Sequence, residues 1–390
     1  MKNNNFSSWP IYSQEEIKEV SRVLLSTKVN YWTGNEARKF EKEFALWANS
    51  KYAVALANGT VALDLAFRAL GIGAGDEVIV TSRTFIASVS SIINVGATPI
   101  FVDVELESQN INHELIKSLL SPATKAILCV HLAGWPCNMD QIMTIANENN
   151  LYVVEDCAQA HGAKYSGQSV GSIGHIGCWS FCQDKIMSTG GEGGMVTTND
   201  ENFWQKMWEY KDHGKSFKDV YSKDTPKGFK WLHESFGTNG RMTEMQAAIG
   251  RVQLKYIHEW HNKRLNNAQA IWDTAKQCAG LRVPAIPDHI EHAAYKCYVF
   301  VRVDLLKNEW SRDRIIDEIN KLGVPCFSGV CSEVYLEKAF DGLSFKPTER
   351  LKNAKELGET SLMFLIHPNL LQSEMKKTCE TLKSVLSIAV

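Results

Sequence analysis

Five short runs of aliphatic and β-branched residues, at 52–56, 77–80, 99–104, 126–131 and 151–155, alternate with segments whose apolar residues recur at helical spacing. Runs that short and that continuously apolar are buried on both faces, as parallel strands covered by helices are. Between them Ala62, Leu63, Ala66 and Leu70 share one helical face, and residues 86–95 and 139–149 repeat the pattern. The alternation predicts an α/β domain built on a mostly parallel central sheet. After a long helical stretch at 243–266 the pattern changes to a strand at 298–303 and helices at 312–322 and 375–388, with turn chemistry between them. Residues 1–267 are therefore read as a large α/β domain with an N-terminal arm, and residues 268–390 as a smaller C-terminal α+β domain.

Composition excludes several functions. The 42 basic and 44 acidic side chains are scattered and form no basic stripe, so no nucleic-acid partner is expected. No apolar run reaches membrane-spanning length and residues 1–9 lack a secretory pattern, so the expectation is a cytoplasmic protein without a membrane partner. The ten cysteines lie in apolar or strand-like runs and never form Cys-x-x-Cys, which favours buried free thiols over disulfides or a zinc ribbon. In His258-Glu259-Trp260-His261 the histidines are three apart, not four as on a zinc-protease helix, so no metal site is expected there. Gly71-Ile72-Gly73-Ala74-Gly75 follows a helix and misses the third glycine of the dinucleotide fingerprint, which argues against a nicotinamide-dependent oxidoreductase.

Three places could carry chemistry. Glu155 and Asp156 stand at the carboxyl end of a strand, where open α/β sheets bind ligands, although capping the next helix would equally account for Asp156. Lys185 follows the aromatic run Trp179-Ser180-Phe181 and precedes Gly190-Gly191-Glu192-Gly193-Gly194. Most lysines are solvated, and a glycine cluster by default makes a tight turn; here the lysine stem lies against the sheet and the glycines let backbone approach a flat ligand. Ala57-Asn58-Gly59-Thr60 lies between a strand and a helix start, where free N–H groups favour an anion such as phosphate; a simple Asn or Thr cap is the alternative.

These residues carry a resemblance. Ala57-Asn58-Gly59-Thr60, Thr84-Phe85, Glu155-Asp156-Cys157-Ala158-Gln159, Ser180-Phe181 with Lys185, Gly191-Glu192-Gly193-Gly194 and Gly237-Thr238-Asn239-Gly240-Arg241-Met242 occur in the order found in the DegT/DnrJ/EryC1/StrS sugar aminotransferases. That family has the aspartate aminotransferase-like fold, fold type I among pyridoxal-phosphate enzymes, and the chain resembles it from about Ile17 to the carboxyl end. The resemblance implies pyridoxal 5'-phosphate as cofactor, with pyridoxamine phosphate as its intermediate form. It implies Lys185 as the Schiff-base lysine, Asp156 as the partner of the pyridine nitrogen, Gln159 near the ring hydroxyl and Phe85 stacked on the ring. Gly59, Thr60 and Ser180 would cradle the phosphate, and Asn239 would reach it from the other subunit, which implies a homodimer with shared sites. Dehydratases of this fold carry histidine where this chain has Lys185.

The segments 28–34, 130–134, 180–185 and 231–236 are similar to the bacillosamine-pathway branch of the family. That likeness implies transfer of an amino group from an amino acid, L-glutamate, to the 4-keto carbon of UDP-2-acetamido-2,6-dideoxy-hexulose. Glu192, seven residues after Lys185, has the spacing of some members that aminate the 3-keto carbon. A 3-keto or 4-keto aminotransferase of dTDP- or GDP-sugars is the alternative, and a non-catalytic cofactor- or sugar-sensing module a second. Tyr31 and Thr33 are expected either to approach the sugar or to form a plain turn before a helix at 36–48. The loop at 326–331 departs from the commoner family form.

Overall fold

The computed structural model describes residues 6–222 and 231–390. Nine strands precede residue 200: β1 Tyr52–Leu56, β2 Glu77–Thr81, β3 Thr98–Val102, β4 Thr124–Val130, β5 Tyr152–Asp156, β6 Lys164–Tyr165, β7 Gln168–Ser169, β8 Ile176–Ser180 and β9 Gly194–Thr198. Seven of them form the central sheet in the order β1-β9-β8-β5-β4-β2-β3. The pairs β2–β3, β2–β4, β4–β5 and β5–β8 are parallel. Only β9 runs against the rest, pairing antiparallel with both β1 and β8. The run at 52–56 is thus buried, as expected, but its ladder is antiparallel. No helix separates β8 from β9, and without a crossover the chain must return in the opposite direction.

Each expected helix in the first half forms. Gly59–Ala69 is capped by the Asn58 side chain, which accepts from Val61 N at 2.9 Å, and it buries Leu63, Ala66 and Phe67 against the sheet. Ile86–Asn94 and Met139–Glu148 also cover the sheet with their apolar faces.

The helix Glu244–Ala275 is longer than its pattern suggested. Thr243 and Gln246 form a reciprocal capping box at its start. Its first half joins Phe40 and Phe44 in the large core; Ala268, Ile271, Trp272 and Ala275 belong to a second core with Val299, Leu362 and Leu382. A division at 267 therefore falls inside one continuous helix that both cores share. Beyond it come β10 Leu281–Arg282, β11 Ile290–Glu291, β12 Cys297–Val301, β13 Cys326–Phe327 and β14 Ser361–Phe364. Four of these make an antiparallel sheet in the order β10-β12-β14-β13, with the helices Arg312–Lys321 and Gln372–Ala389 packed in the second core.

The two lobes are stitched by polar groups. Asp103 accepts from the backbone N–H groups of Asn353 and Ala354 at 2.8 and 2.9 Å. Buried Arg83 donates to Ser361 Oγ at 3.0 Å, and β11 pairs with β6. Among the described residues no helix is long and apolar enough to cross a membrane. All ten cysteines are free; Cys182, Cys278, Cys331 and Cys379 are not buried, contrary to expectation, because the first three sit in loops and Cys379 lies within the helix Gln372–Ala389 rather than in a strand.

Close approach between β8 and the turn before it tests this packing. A Cβ on Gly177 would lie 2.5 Å from Gly171 Cα and 2.6 Å from its carbonyl oxygen. Gly177→Ala is expected to cost about 1–3 kcal/mol by overpacking. At Gly73 the nearest atom is 3.6 Å from such a Cβ, and Gly73→Ala should stay within about 0.5 kcal/mol. Urea midpoints that fall equally in the two variants would contradict this account.

Candidate active site

The ends of β1, β5 and β8 open into the largest cavity described, about 760 Å³, where the two lobes face each other. It lies beyond the carboxyl ends of parallel strands, where this architecture binds ligands. At one end is the start of the helix Gly59–Ala69. Its Val61 and Ala62 N–H groups are taken by the side chain and carbonyl of Asn58, which leaves those of Gly59 and Thr60 unpaired at the cavity. Close backbone approach shapes this cradle. A Cβ on Gly59 would meet Ser180 Cβ at 2.7 Å, and one on Gly194 would meet the Asn58 carbonyl at 2.4 Å. Unpaired amides, the positive end of an 11-residue helix and the Ser180 hydroxyl make a seat for a phosphate-like anion.

The two acids at the end of β5 point opposite ways because strand residues alternate sides. Glu155 is fully buried and accepts from the amides of Gly171, Ile173 and Gly174 at 2.8, 3.0 and 2.6 Å. His131 Nδ1 accepts from Cys137 N at 3.0 Å, so Nε2 carries the proton that it donates to Glu155 at 2.9 Å. Burial lowers the His131 pKa, but the Glu155 hydrogen bond together with the electrostatic pull of Cys129, Glu155 and Asp156 outweighs it and the net shift is upward. His131, Glu155 and Cys157 cluster closely; His131 and Glu155 are committed to these bonds and the Cys157 thiol donates to the Glu155 carbonyl, which makes a structural knot. Asp156, in contrast, faces the cavity. Its Oδ2 accepts from Ser88 Oγ at 2.8 Å and its Oδ1 from Ala158 N at 3.1 Å, which hold the carboxylate in one orientation with acceptor capacity to spare.

Lys185 closes a turn whose amide bonds back to Cys182 O at 3.1 Å, and Trp9 Nε1 donates to its carbonyl at 2.8 Å. The lysine is half-buried rather than dry, with Nζ 5.2 Å from the centroid of the Tyr295 ring. The Tyr295 hydroxyl donates to Asp184. Burial raises the Asp184 carboxyl, but the Lys185 ammonium and that hydroxyl outweigh it and hold the group below its usual range. Gln159 accepts from Ala133 N at 2.8 Å through its oxygen, turning its amide N–H groups toward the cavity. Phe85, 64% exposed at the cavity wall, offers a bare ring face.

Gly59, Thr60, Phe85, Asp156, Gln159, Ser180 and Lys185 thus meet around one cavity. Asn239 does not join them within its own chain; it is exposed, in the segment whose Gly240 carbonyl accepts from Ala57 N at 2.8 Å. Tyr31 and Thr33 lie apart from the cavity within their own chain. Tyr31 is 2% exposed, accepts from Trp208 Nε1 at 3.0 Å and lies under the Lys211 ammonium, 3.6 Å from its ring centroid. Thr33 bonds back to Asn30 in the plain turn before the helix Glu36–Trp47. Neither lines the cavity. Ser88, Asp184, Tyr295, Lys296 and Tyr298 line it without having been expected. The last three come from the smaller lobe, and a Tyr-Lys pair at a strand start carries no local signal of that placement.

Residues 10–383 match the sequence model of the DegT/DnrJ/EryC1/StrS aminotransferase family. GDP-perosamine synthase of Escherichia coli O157:H7 is 43% identical over 255 residues, 65% of this chain and 67% of that one. The UDP-N-acetyl-3-dehydro-alpha-D-glucosamine 3-aminotransferase of Acidithiobacillus ferrooxidans is 40% identical over 265 residues, 67% and 68% of the two chains. The crystal structure of an aminotransferase from Psychrobacter cryohalolentis superposes with a TM-score of 0.97 at 62% identity, covering 98% of this chain and 99% of that one. A putative sugar aminotransferase of Streptococcus pneumoniae, solved in its PMP form, superposes with a TM-score of 0.88 at 26% identity over 98% of each chain. The chain belongs to the DegT/DnrJ/EryC1/StrS aminotransferase family and has the aspartate aminotransferase-like fold of type I pyridoxal-phosphate enzymes.

The two neighbouring acids separate fold from chemistry. Glu155→Ala strands three buried amides and His131 and is expected to cost about 3–5 kcal/mol. Asp156→Asn keeps an acceptor and the shape, and should cost under about 1 kcal/mol of stability while lowering amino transfer about 100-fold or more. Thermal melts with the turnover of both variants check this; an active Asp156→Asn protein would contradict the role of the charge.

Proposed function

We propose that this member of the DegT/DnrJ/EryC1/StrS aminotransferase family uses pyridoxal 5'-phosphate to move an amino group from L-glutamate to the 4-keto carbon of UDP-2-acetamido-2,6-dideoxy-hexulose, giving UDP-4-amino-4,6-dideoxy-N-acetylglucosamine. The observation that carries the catalytic reading is the meeting, in one cavity, of a lysine amine, a carboxylate fixed by Ser88 and Ala158, and an unpaired helix start at Gly59 and Thr60. This donor set fits pyridoxal phosphate: an anion seat for its phosphate, an acid for its ring nitrogen, an amine for its aldehyde and the Phe85 face for its ring. When bound, the cofactor serves as the electron sink for a carbanion at the substrate carbon.

The chain's own residues do the rest. Asp156 keeps a proton on the ring nitrogen, and its two hydrogen bonds hold it aimed at that position. Lys185 Nζ takes a proton from one carbon and returns it to another, since it lines the same cavity and its turn is pinned by Cys182 and Trp9. Gly59, Thr60 and Ser180 anchor the phosphate, and the Gln159 amide is placed to donate to the ring hydroxyl. We read Asn239 as serving the partner's site in a homodimer with shared sites; fully exposed Phe236 in the same segment is an aromatic surface that one chain leaves uncovered.

Support for the UDP 4-keto substrate is the likeness of segments 28–34, 130–134 and 231–236 to the bacillosamine branch. A second reading, amination at the 3-keto carbon, is favoured by the spacing of Glu192, which lines the cavity, and by the 3-aminotransferase relative.

The purified protein is expected to be yellow, with a band that borohydride abolishes and that Lys185→Ala never acquires; a protein that stays colourless with added cofactor would overturn the catalytic reading. With glutamate and a panel of UDP-, dTDP- and GDP-linked 3-keto and 4-keto sugars, the UDP 4-keto N-acetyl sugar should be aminated fastest. Faster turnover of a 3-keto sugar would establish the second reading instead.

A further inference from the structure

We infer that Lys296 binds a carboxylate of the amino donor, so that the cavity holds an anion subsite for the donor amino acid. The inference rests on the aminotransferase reading above. Lys296 stands one residue before β12 and lines the same cavity as Lys185, although it comes from the smaller lobe. The two lysines flank one ring: Lys296 Nζ lies 4.7 Å from the Tyr295 ring centroid and Lys185 Nζ 5.2 Å.

Charge around Tyr295 is unbalanced. Three cations, Lys185, Lys296 and Arg264, surround it, and the one carboxylate among them is Asp184. Asp184 already receives the Tyr295 hydroxyl. Among the described residues no carboxylate oxygen comes within 4.0 Å of Lys296 Nζ, and the ammonium has no hydrogen-bond partner, its one close contact being the Tyr295 ring. Burial pulls the Lys296 pKa down to about 8, with Arg264 and Lys185 adding to the fall and Asp184 opposing it. Lys296 is half-buried at the cavity wall, and a partly desolvated ammonium without a counter-ion at a ligand cavity is placed for a ligand anion to complete the pair.

Distance along the ligand selects the anion. In an α-amino acid the carboxylate is one bond from the carbon that reacts, so it must be held close to the reacting amine, and both ammonium groups lie within 5.2 Å of the same Tyr295 ring centroid. In a nucleotide sugar the diphosphate is separated from a 3-keto or 4-keto carbon by the pyranose ring. The phosphate of the cofactor has its own seat at Gly59, Thr60 and Ser180. Lys296 thus serves the half-reaction that takes up the amino group and is idle in the one that delivers it.

Glutarate carries two carboxylates and no amine, so it occupies the subsite without reacting. Its binding to the cofactor-loaded enzyme, measured by titration calorimetry, should weaken about 10- to 100-fold in Lys296→Met, the loss of one charge-assisted contact, and recover in part in Lys296→Arg. UDP affinity should stay within about twofold, and the cofactor absorbance band, unchanged, reports an intact fold and site. Glutarate binding that is absent in the wild type or indifferent to Lys296→Met overturns the inference. So does UDP affinity that falls in parallel, which would assign the lysine to the diphosphate. A protein that keeps its cofactor band but fails these tests sinks this inference alone, whereas one that never takes up cofactor sinks the catalytic reading beneath it.

Discussion

The site depends on a buried carboxylate that does no chemistry. Glu155 gathers three backbone amides of the turn at 171–174 and the His131 ring, and so locks the end of β5 to the neighbouring loops. Because successive strand residues face opposite sides, fixing Glu155 on one side fixes Asp156 on the other, into the cavity. A charged group taken fully out of water is tolerable only with its acceptors filled, and here four donors fill them. The cost is met by the knot itself, which leaves the functional carboxylate half committed and free to take a further partner.

Around that acid the cavity is assembled from both lobes. The sheet side supplies the helix start at Gly59, the Phe85 ring, Asp156 and Lys185, while the smaller lobe supplies Tyr295, Lys296, Tyr298 and Gly329. Polar stitches at Asp103 and Arg83 set the lobes against each other close to the cavity wall. Tyr295 is the hinge of the electrostatics. Its ring contacts two ammonium groups, its hydroxyl donates to Asp184, and its carbonyl accepts from Arg264 at 3.4 Å. Lys185 and Lys296 share one cavity although one follows β8 of the large sheet and the other arrives on the smaller lobe.

Much of this was legible in the residues alone. Short, continuously apolar runs and helical patterning mark the strands and helices because burial on both faces of the sheet leaves little choice of residue type there. Asp156, Gly59, Thr60 and Lys185 stand out because strand ends and helix starts have local chemistry that a sequence displays. The packing of Tyr31 was not legible locally: within its own chain it lies beneath Lys211 and Trp208, 180 and 177 positions away in sequence. The direction of β9 and the continuity of the helix Glu244–Ala275 through both cores were likewise hidden, since a strand's partners and a helix's neighbours are non-local.

By itself, then, the sequence determined the element types, the mostly parallel sheet and the identity of the groups able to hold a phosphate-bearing ring, because each rests on residues adjacent in the chain. Only the tertiary structure decided which of two adjacent acids faces the cavity, which residues of the second lobe close it, and that a second lysine stands there without a counter-ion. Those outcomes turn on contacts between residues 16 to 111 positions apart, where packing and desolvation act and local pattern carries no information.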